Sequence, residues 1–124
     1  MSSQTNPSLP PLQWKVVLAQ LNPTRGSEQA GTRPVLIVSE ESSNTLLPIV
    51  TVLPLTTWRP GRRIYPNEVL LPAQSAGQQN DSVVMAYQIR TLTKERILTE
   101  IGLLGDETLR NQVRAALRIH LDLN

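Results

Sequence analysis

The stretch that decides the fold is LNPTRGSEQAGTRPVLIVS, residues 21–39. Pro23 ends an apolar, β-prone run, because the residue before proline avoids the helical region and proline cannot donate to a sheet. Residues 24–32 are mainly polar and contain two glycines, which predicts a loop. Residues 34–39 are aliphatic and predict a strand. Arg33 therefore stands where a polar loop enters a strand.

Outward from this stretch, the pattern predicts further short strands separated by turn-forming residues. Prolines at positions 48 and 54 of one apolar run indicate an edge or a bulge in the sheet. Thr93 is predicted to cap one short helical turn. The predicted strands are residues 14–21, 34–39, 46–55, 68–71, 82–89 and 97–104, and the predicted polar loops after residue 55 are 58–66 and 74–81.

The chain is predicted to close with an amphipathic helix that follows Gly105 and is capped by Asp106. Its apolar stripe consists of Leu109, Val113, Ala116, Leu117, His120 and Leu121. Arg110, Arg114 and Arg118 recur every four residues and predict a solvated face. His120 lies on the apolar stripe, so we interpret it as a core or interface histidine. Short strands with one closing helix predict a small β-barrel-like α+β fold.

Length and composition predict one domain without disulfides. The 124 residues suffice for a single compact core, which we expect at residues 12–124 after a disordered tail at 1–11 that is rich in serine and proline. The chain has no cysteine, which excludes disulfides, thiolate zinc sites and cysteine nucleophiles. It shows neither a signal peptide nor an apolar run of membrane-spanning length, so we expect a cytoplasmic location.

The basic residues indicate a phosphate-bearing partner. The net charge is only +2, but ten of the twelve basic residues are arginine, whose planar fork matches phosphate oxygens. Arg59, Arg62 and Arg63 stand together beside Trp58, with no acid before Asn67. Basic groups beside an aromatic ring are the ingredients of a platform for single-stranded nucleic acid, and a mobile, soluble loop is the alternative. No histidine cluster or close carboxylate set predicts a metal site.

Three segments together resemble the MazF/PemK family of toxins. They are residues 21–39, residues 52–57 (VLPLTT) and residues 81–97 (DSVVMAYQIRTLTKERI). The resemblance runs from about Trp14 to the C-terminus. It implies an SH3-like barrel of the CcdB/PemK type, present as a homodimer that cleaves single-stranded RNA at specific short sequences and inhibits translation. The products implied are a 2',3'-cyclic phosphate and a 5'-hydroxyl. The family is neutralised by an antitoxin, for which we expect an acidic, disordered tail.

The resemblance gives catalytic roles to three residues. Arg33 would clamp the scissile phosphate and offset its developing charge, and Thr56 would contact the same phosphate through its hydroxyl. By residue type alone, a structural pairing of Arg33 with Glu28 or with the sheet edge is favoured, and the family context favours catalysis. Glu28 would carry a proton or orient Arg33, and we favour orientation. No cofactor is implied, because attack by the RNA's own 2'-hydroxyl needs only proton transfer and charge stabilisation.

Further residues are predicted to bind RNA. They are Arg25, Ser27, Thr57, Trp58, Arg59, Arg62, Arg63, Tyr87 and Gln88. Two positions depart from the family pattern: Trp14-Lys15 replaces a common glycine and acid, and Tyr87 stands where the family commonly has a carboxylate. Tyr87 would therefore donate a hydrogen bond to phosphate or stack on a base, and we favour stacking.

Two alternative functions share this architecture. A gyrase-poisoning toxin of the CcdB type depends on an aromatic C-terminal end, whereas this chain ends HLDLN. A catalytically silent RNA- or protein-binding barrel would keep the surface but not the reaction. Only an assay separates this second alternative from a ribonuclease.

Overall fold

A computed structural model describes residues 9–21 and 31–124, which form one antiparallel sheet and two helices. The strands are β1 (Lys15–Gln20), β2 (Thr32–Ile37), β3 (Ile49–Thr57), β4 (Glu68–Leu71), β5 (Ser82–Met85), β6 (Arg90–Thr93) and β7 (Ile97–Leu103), and the helices are α1 (Glu41–Leu46) and α2 (Glu107–Leu121). The strand order is β4-β5-β3-β2-β1-β7, and β6 pairs with the first half of β3. The predicted barrel-like α+β fold with a C-terminal helix is confirmed.

The central strands bury both of their faces. Leu36 and Leu53 belong to one apolar cluster, which α2 covers with Val113 and Ala116. Val35 belongs to a second cluster on the opposite face. Such two-sided burial follows from side chains alternating along a strand, and each fully buried leucine contributes about 1.5–3 kcal/mol to folding. The aliphatic run of β2 therefore fixes this strand at the centre of the domain.

Local structure departs from prediction on both sides of β3 and after β5. Helix α1 was not predicted, and the strand expected at residues 46–55 begins instead at Ile49 and continues to Thr57. The strand expected at residues 82–89 ends at Met85, where a 3-10 turn begins that leads into β6. Thr93 does precede a 3-10 turn, but its side chain makes no capping hydrogen bond.

Helix α2 begins as predicted, but its arginine face is not fully solvated. The Asp106 carboxylate accepts a hydrogen bond from the backbone N–H of Leu109 at 3.0 Å, which satisfies one free donor of the first turn. The guanidinium groups of Arg110 and Arg114 lie 5.3 and 5.0 Å from the ring centre of buried Trp14. His120 is exposed, so it is not a core residue of this chain.

Two predicted features lie wholly or partly outside the described residues. The expected tail at residues 1–11 is described only from Leu9 onward, and most of the loop predicted at residues 24–32 falls within the undescribed range 22–30. Among the described residues, no helix is both long enough and apolar enough to cross a membrane.

Candidate active site and nucleic-acid interface

Arg33 and Thr56 occupy corresponding positions at the ends of β2 and β3. The ladder between these strands pairs Val35 with Pro54. Continuing the antiparallel register by two residues places Arg33 opposite Thr56. The ladder itself stops at Val35, and the end of β3 is held from its other side by pairing with β5. Arg33 and Thr56 therefore flank the point where two neighbouring strands separate.

The two candidate catalytic side chains share one face of the sheet. Residues two or four apart on a strand point to the same face. Arg33 therefore shares a face with Val35, and Thr56 shares a face with Val52. Both valines belong to the second apolar cluster. Arg33 is exposed and Thr56 is partly buried. An exposed guanidinium beside a hydroxyl anchored in a strand can bind a phosphate from solution while one partner stays fixed. Glu28, Arg25 and Ser27 lie outside the described residues.

A cleft of about 380 Å³ opens on the other face of the same strand ends. Thr57 and Pro34 line it from β3 and β2, directly after the two candidate catalytic residues. Gln79 and Asn80 line it from the loop between β4 and β5. These two amides were not among the predicted site residues, because no local pattern relates that loop to the strand ends.

The basic loop between β3 and β4 is internally braced. The indole N–H of Trp58 donates to the backbone carbonyl of Arg62 at 2.9 Å. The Arg62 guanidinium donates to both carboxylate oxygens of Glu68, at 3.1 and 2.8 Å. The Glu68 side chain is only 1% exposed. Arg62 is therefore compensated by an internal acid, whereas Arg59 and Arg63 remain exposed and make no ion pair with a described residue.

The ion pair controls the ionisation of Glu68. Burial acts to raise the pKa of this carboxyl. Hydrogen bonds from Arg62 and from the backbone N–H of Tyr65 oppose this effect, and so does the Arg62 charge. With a smaller contribution from the Tyr87 hydroxyl, they hold the pKa below its ordinary value of 4.5. Glu68 consequently stays ionised at neutral pH despite its burial. A buried, paired carboxylate fixes the conformation of the loop that follows Arg62.

The same pair forms part of a groove of about 470 Å³ that is mainly apolar. Tyr65 and Tyr87 line this groove with 52% and 39% of their surfaces exposed, and Ile119 of α2 lines it as well. Half-exposed aromatic rings present flat faces on which a nucleobase can stack. The structure thus places Tyr87 in a groove with Arg62. Gln88 lies next to it at the end of the 3-10 turn and is partly buried.

Arg90 is a second basic residue on the face that carries the candidate catalytic side chains, and it was not among the predicted site residues. It pairs with Val52 in the β3–β6 ladder, so its side chain shares the face of Val52 and Thr56. Its Nη1 atom is buried and has no hydrogen-bond partner among the described residues. Buried donors are normally satisfied, so such an atom calls for an explanation. Its position within residues 81–97, the third segment that resembles the MazF/PemK toxins, could have indicated a role for Arg90.

Groups of three or more histidine, aspartate or glutamate side chains that could hold a metal ion are absent from the part of the chain that the structure describes. The described residues at the strand ends supply a guanidinium, a hydroxyl and neighbouring amides. These groups bind and polarise a phosphate by charge and hydrogen bonding.

Comparison with known proteins identifies the family. The model of the PemK-like, MazF-like toxins of type II toxin-antitoxin systems matches residues 12–121. The chain belongs to this family. It is 37% identical over 115 residues to endoribonuclease MazF9 of Mycobacterium tuberculosis, covering 89% of this chain and 92% of that protein. The similarity to this family therefore extends beyond the three sequence segments and spans nearly the whole length of this MazF-like chain.

Solved structures of MazF toxins share the fold. MazF from Deinococcus radiodurans is 29% identical with a TM-score of 0.75, covering 91% of this chain and 97% of that one. An endoribonuclease from a mycobacterial species, solved in complex with its cognate antitoxin, is 28% identical with a TM-score of 0.74, covering 92% and 97%. These likenesses agree with the barrel-like sheet and closing helix described above for the MazF-like chain.

Proposed function

We propose that this MazF-like chain is an endoribonuclease toxin that cleaves single-stranded RNA at specific short sequences. The observation that carries the proposal is that Arg33 and Thr56 each lie two residues beyond Val35 and Pro54, the last pair of the β2–β3 ladder, and so flank the end of that ladder. The relative at 37% identity is named an endoribonuclease, which supports the same reaction here. The functional unit is residues 12–124.

The proposed reaction is an attack by the RNA's 2'-hydroxyl oxygen on the adjacent phosphorus. A new bond forms between that oxygen and phosphorus while the bond from phosphorus to the 5'-oxygen breaks. The 2'-hydroxyl loses a proton and the leaving 5'-oxygen gains one, giving a 2',3'-cyclic phosphate and a 5'-hydroxyl. Arg33 offsets the charge that develops on the phosphate oxygens, and Thr56 donates a hydrogen bond to the same group. Glu28 orients Arg33.

The proposed RNA path continues over the surfaces beside the strand ends. Arg59 and Arg63 bind phosphates, while Trp58 and Tyr87 offer rings to unstacked bases. Arg25, Ser27, Thr57 and Gln88 are further contacts. Arg62 acts mainly through Glu68, as a brace for the loop.

The proposed partners are a second copy of the chain and a cognate antitoxin. The solved complex of a mycobacterial endoribonuclease with its antitoxin supports an antitoxin partner here. We expect the antitoxin to use an acidic, disordered tail that wraps the RNA path and competes for the same arginines. The site of action is the cytoplasm, where single-stranded RNA is available.

The reaction is tested by mapping products rather than by loss of RNA alone. Purified protein would be incubated with a long, weakly structured RNA in EDTA, and the new 5' ends would be sequenced with and without prior phosphorylation. Ends that are captured only after phosphorylation carry a 5'-hydroxyl and support the proposed bond cleavage. Retention of RNA on the protein without any new ends would favour the catalytically silent barrel.

A further inference from the structure

The loop between β4 and β5 presents two amide side chains to the cleft at the strand ends. Gln79 and Asn80 are exposed and line that cleft beside Thr57. Neither side chain has a hydrogen-bond partner within the described part of the chain. An amide offers a donor and an acceptor side by side, the combination that pairs with the edge of a nucleobase.

The backbone that carries these amides is held against β7 by a glycine contact. Gly77 has φ +85°, and a Cβ at this position would lie 2.4 Å from the carbonyl oxygen of Ile101. A Cβ at Gly102 would lie 2.4 Å from the carbonyl oxygen of Ala76. Both positions therefore require glycine, since any side chain would force the loop away from the strand.

A buried amide completes the anchoring of the loop. The Gln78 side chain is buried, donates to the Pro72 carbonyl at 2.8 Å and accepts from the backbone N–H of Ala76 at 2.9 Å. The Asp81 carboxylate accepts from the backbone N–H of Ala73 at 2.7 Å. These bonds close the loop on itself on both sides of Gln79 and Asn80. The two exposed amides thus stand on a platform whose position is fixed before any ligand binds.

We propose that Gln79 and Asn80 form a nucleobase subsite that reads one base next to the scissile phosphate. This inference rests on the proposed ribonuclease function. The cleft begins at Pro34 and Thr57, each one residue past Arg33 and Thr56, so a base in the cleft would belong to a nucleotide adjoining the bound phosphate. At the strand ends, Arg33 and Thr56 lie on one face and the cleft lies on the other. This arrangement suits a nucleotide, because its phosphate and its base point in different directions.

The chemistry of the subsite selects its ligand. The cleft has polar and apolar lining in about equal parts, and an apolar side chain placed in it would cover the amides without pairing with them. A base presented on its Watson–Crick or Hoogsteen edge would satisfy them. Preorganised amides also discriminate, because a base with the wrong donor pattern would cover them from water without pairing with them. The subsite therefore contributes to the choice of cleavage sequence and not to the chemical step.

The test compares Gln79→Ala and Asn80→Ala with Gln112→Ala, a matched loss of an exposed amide on α2. Each protein would cleave an RNA library with randomised bases, and the base preference at every position around the cut would be determined. We expect discrimination at one flanking position to fall about tenfold or more in one or both loop variants, the loss typical of one amide–base contact. Preferences elsewhere, and the Gln112→Ala profile, should match the wild type.

Two outcomes separate this inference from the proposed function. Wild-type cleavage with base preferences unchanged in both loop variants would overturn the subsite and leave the ribonuclease standing. Absence of cleavage by the wild type would overturn both. Because the two positions are exposed, the variants should fold as the wild type does, and a thermal unfolding curve for each checks this.

Discussion

Arg62 and Glu68 form a two-pronged ion pair, at 3.1 and 2.8 Å, that ties the basic loop to the first residue of β4. The carboxylate is almost completely buried, whereas the guanidinium is partly exposed. Arg62, which the sequence predicts to bind RNA, therefore also fixes the shape of this surface. Arg59 and Arg63 are the loop arginines whose charge no described acid compensates.

Glu68→Gln should lower the free energy of unfolding at neutral pH by about 1–3 kcal/mol, because Arg62 loses its charged partner. The folded pKa of Glu68 is depressed, so its stabilising effect is present above the ordinary value and lost as the pH falls through the folded pKa. The difference between wild type and variant should therefore shrink when the pH is lowered from neutrality to a value below 4.5. Urea unfolding at both pH values measures it.

Glu107→Gln is the matched control, because Glu107 pairs with Arg114 on an exposed helix surface. Such pairs contribute little, so this variant should unfold like the wild type at both pH values. A Glu68→Gln protein as stable as the wild type at neutral pH would show that the ion pair does not brace the loop.

The salt dependence of RNA binding should distinguish the three loop arginines. Each phosphate contact contributes a slope of about 0.7 in log affinity against log salt on single strands. Arg59→Gln and Arg63→Gln should each flatten the slope by about that amount, whereas Arg62→Gln should reduce stability and change the slope less. Equal flattening by all three variants would mean that Arg62 leaves Glu68 to bind RNA.

Sequence reasoning found the strand ends but not the tertiary contacts around them. Arg33 and Thr56 were located by the resemblance of residues 21–39 and 52–57 to the MazF/PemK toxins, because residue type alone favours a structural role for each. Helix α1 was missed because it reads ESSNTL, a poor helix former by composition. Its Glu41 carboxylate accepts hydrogen bonds from the backbone of Leu12 and Gln13, which lie 29 and 28 residues away. No local pattern encodes a partner at that separation.

The cleft on the opposite face was unpredictable for a similar reason. It depends on the loop after β4 meeting Gly102 of β7, a contact between distant glycines that look like ordinary turn residues in the sequence. The compensation of Arg62 by Glu68 likewise spans a loop whose path only the fold determines. Local periodicity gives elements and their ends, while sites assembled from several elements require the structure.

Arg90 should affect stability and activity in opposite directions. Its buried Nη1 lacks a partner among the described residues, so Arg90→Met should leave the free energy of unfolding unchanged or raise it by up to about 1 kcal/mol. If the guanidinium serves RNA on the face shared with Thr56, single-turnover cleavage should fall at least about tenfold, a loss of about 1.4 kcal/mol in transition-state stabilisation. A destabilised variant with normal cleavage would assign Arg90 a purely structural role.

Tyr87 should act through its ring. Stacking contributes about 1–3 kcal/mol per base, so Tyr87→Ala should weaken RNA binding by that amount while Tyr87→Phe should bind RNA nearly as the wild type does. The Phe variant should also relieve part of the lowering of the Glu68 pKa, to which the Tyr87 hydroxyl contributes. Dissociation constants and single-turnover rates for the three proteins test this. A Phe variant with normal affinity but a severely reduced rate would instead assign the Tyr87 hydroxyl a role in the chemical step.

The proposed reaction requires Arg33 and Thr56 to act together on one phosphate without a metal. Its most direct test is the single-turnover rate of RNA cleavage in EDTA for the wild type, Arg33→Ala and Thr56→Val, with Arg118→Ala as the control for loss of an exposed arginine on α2. We predict that the wild type and the control cleave at the same rate in EDTA, and that each active-site variant is slower by about 10²- to 10³-fold while still folded. Cleavage that requires added magnesium, or two folded variants that cleave as fast as the wild type, would rule out this metal-free action of Arg33 and Thr56.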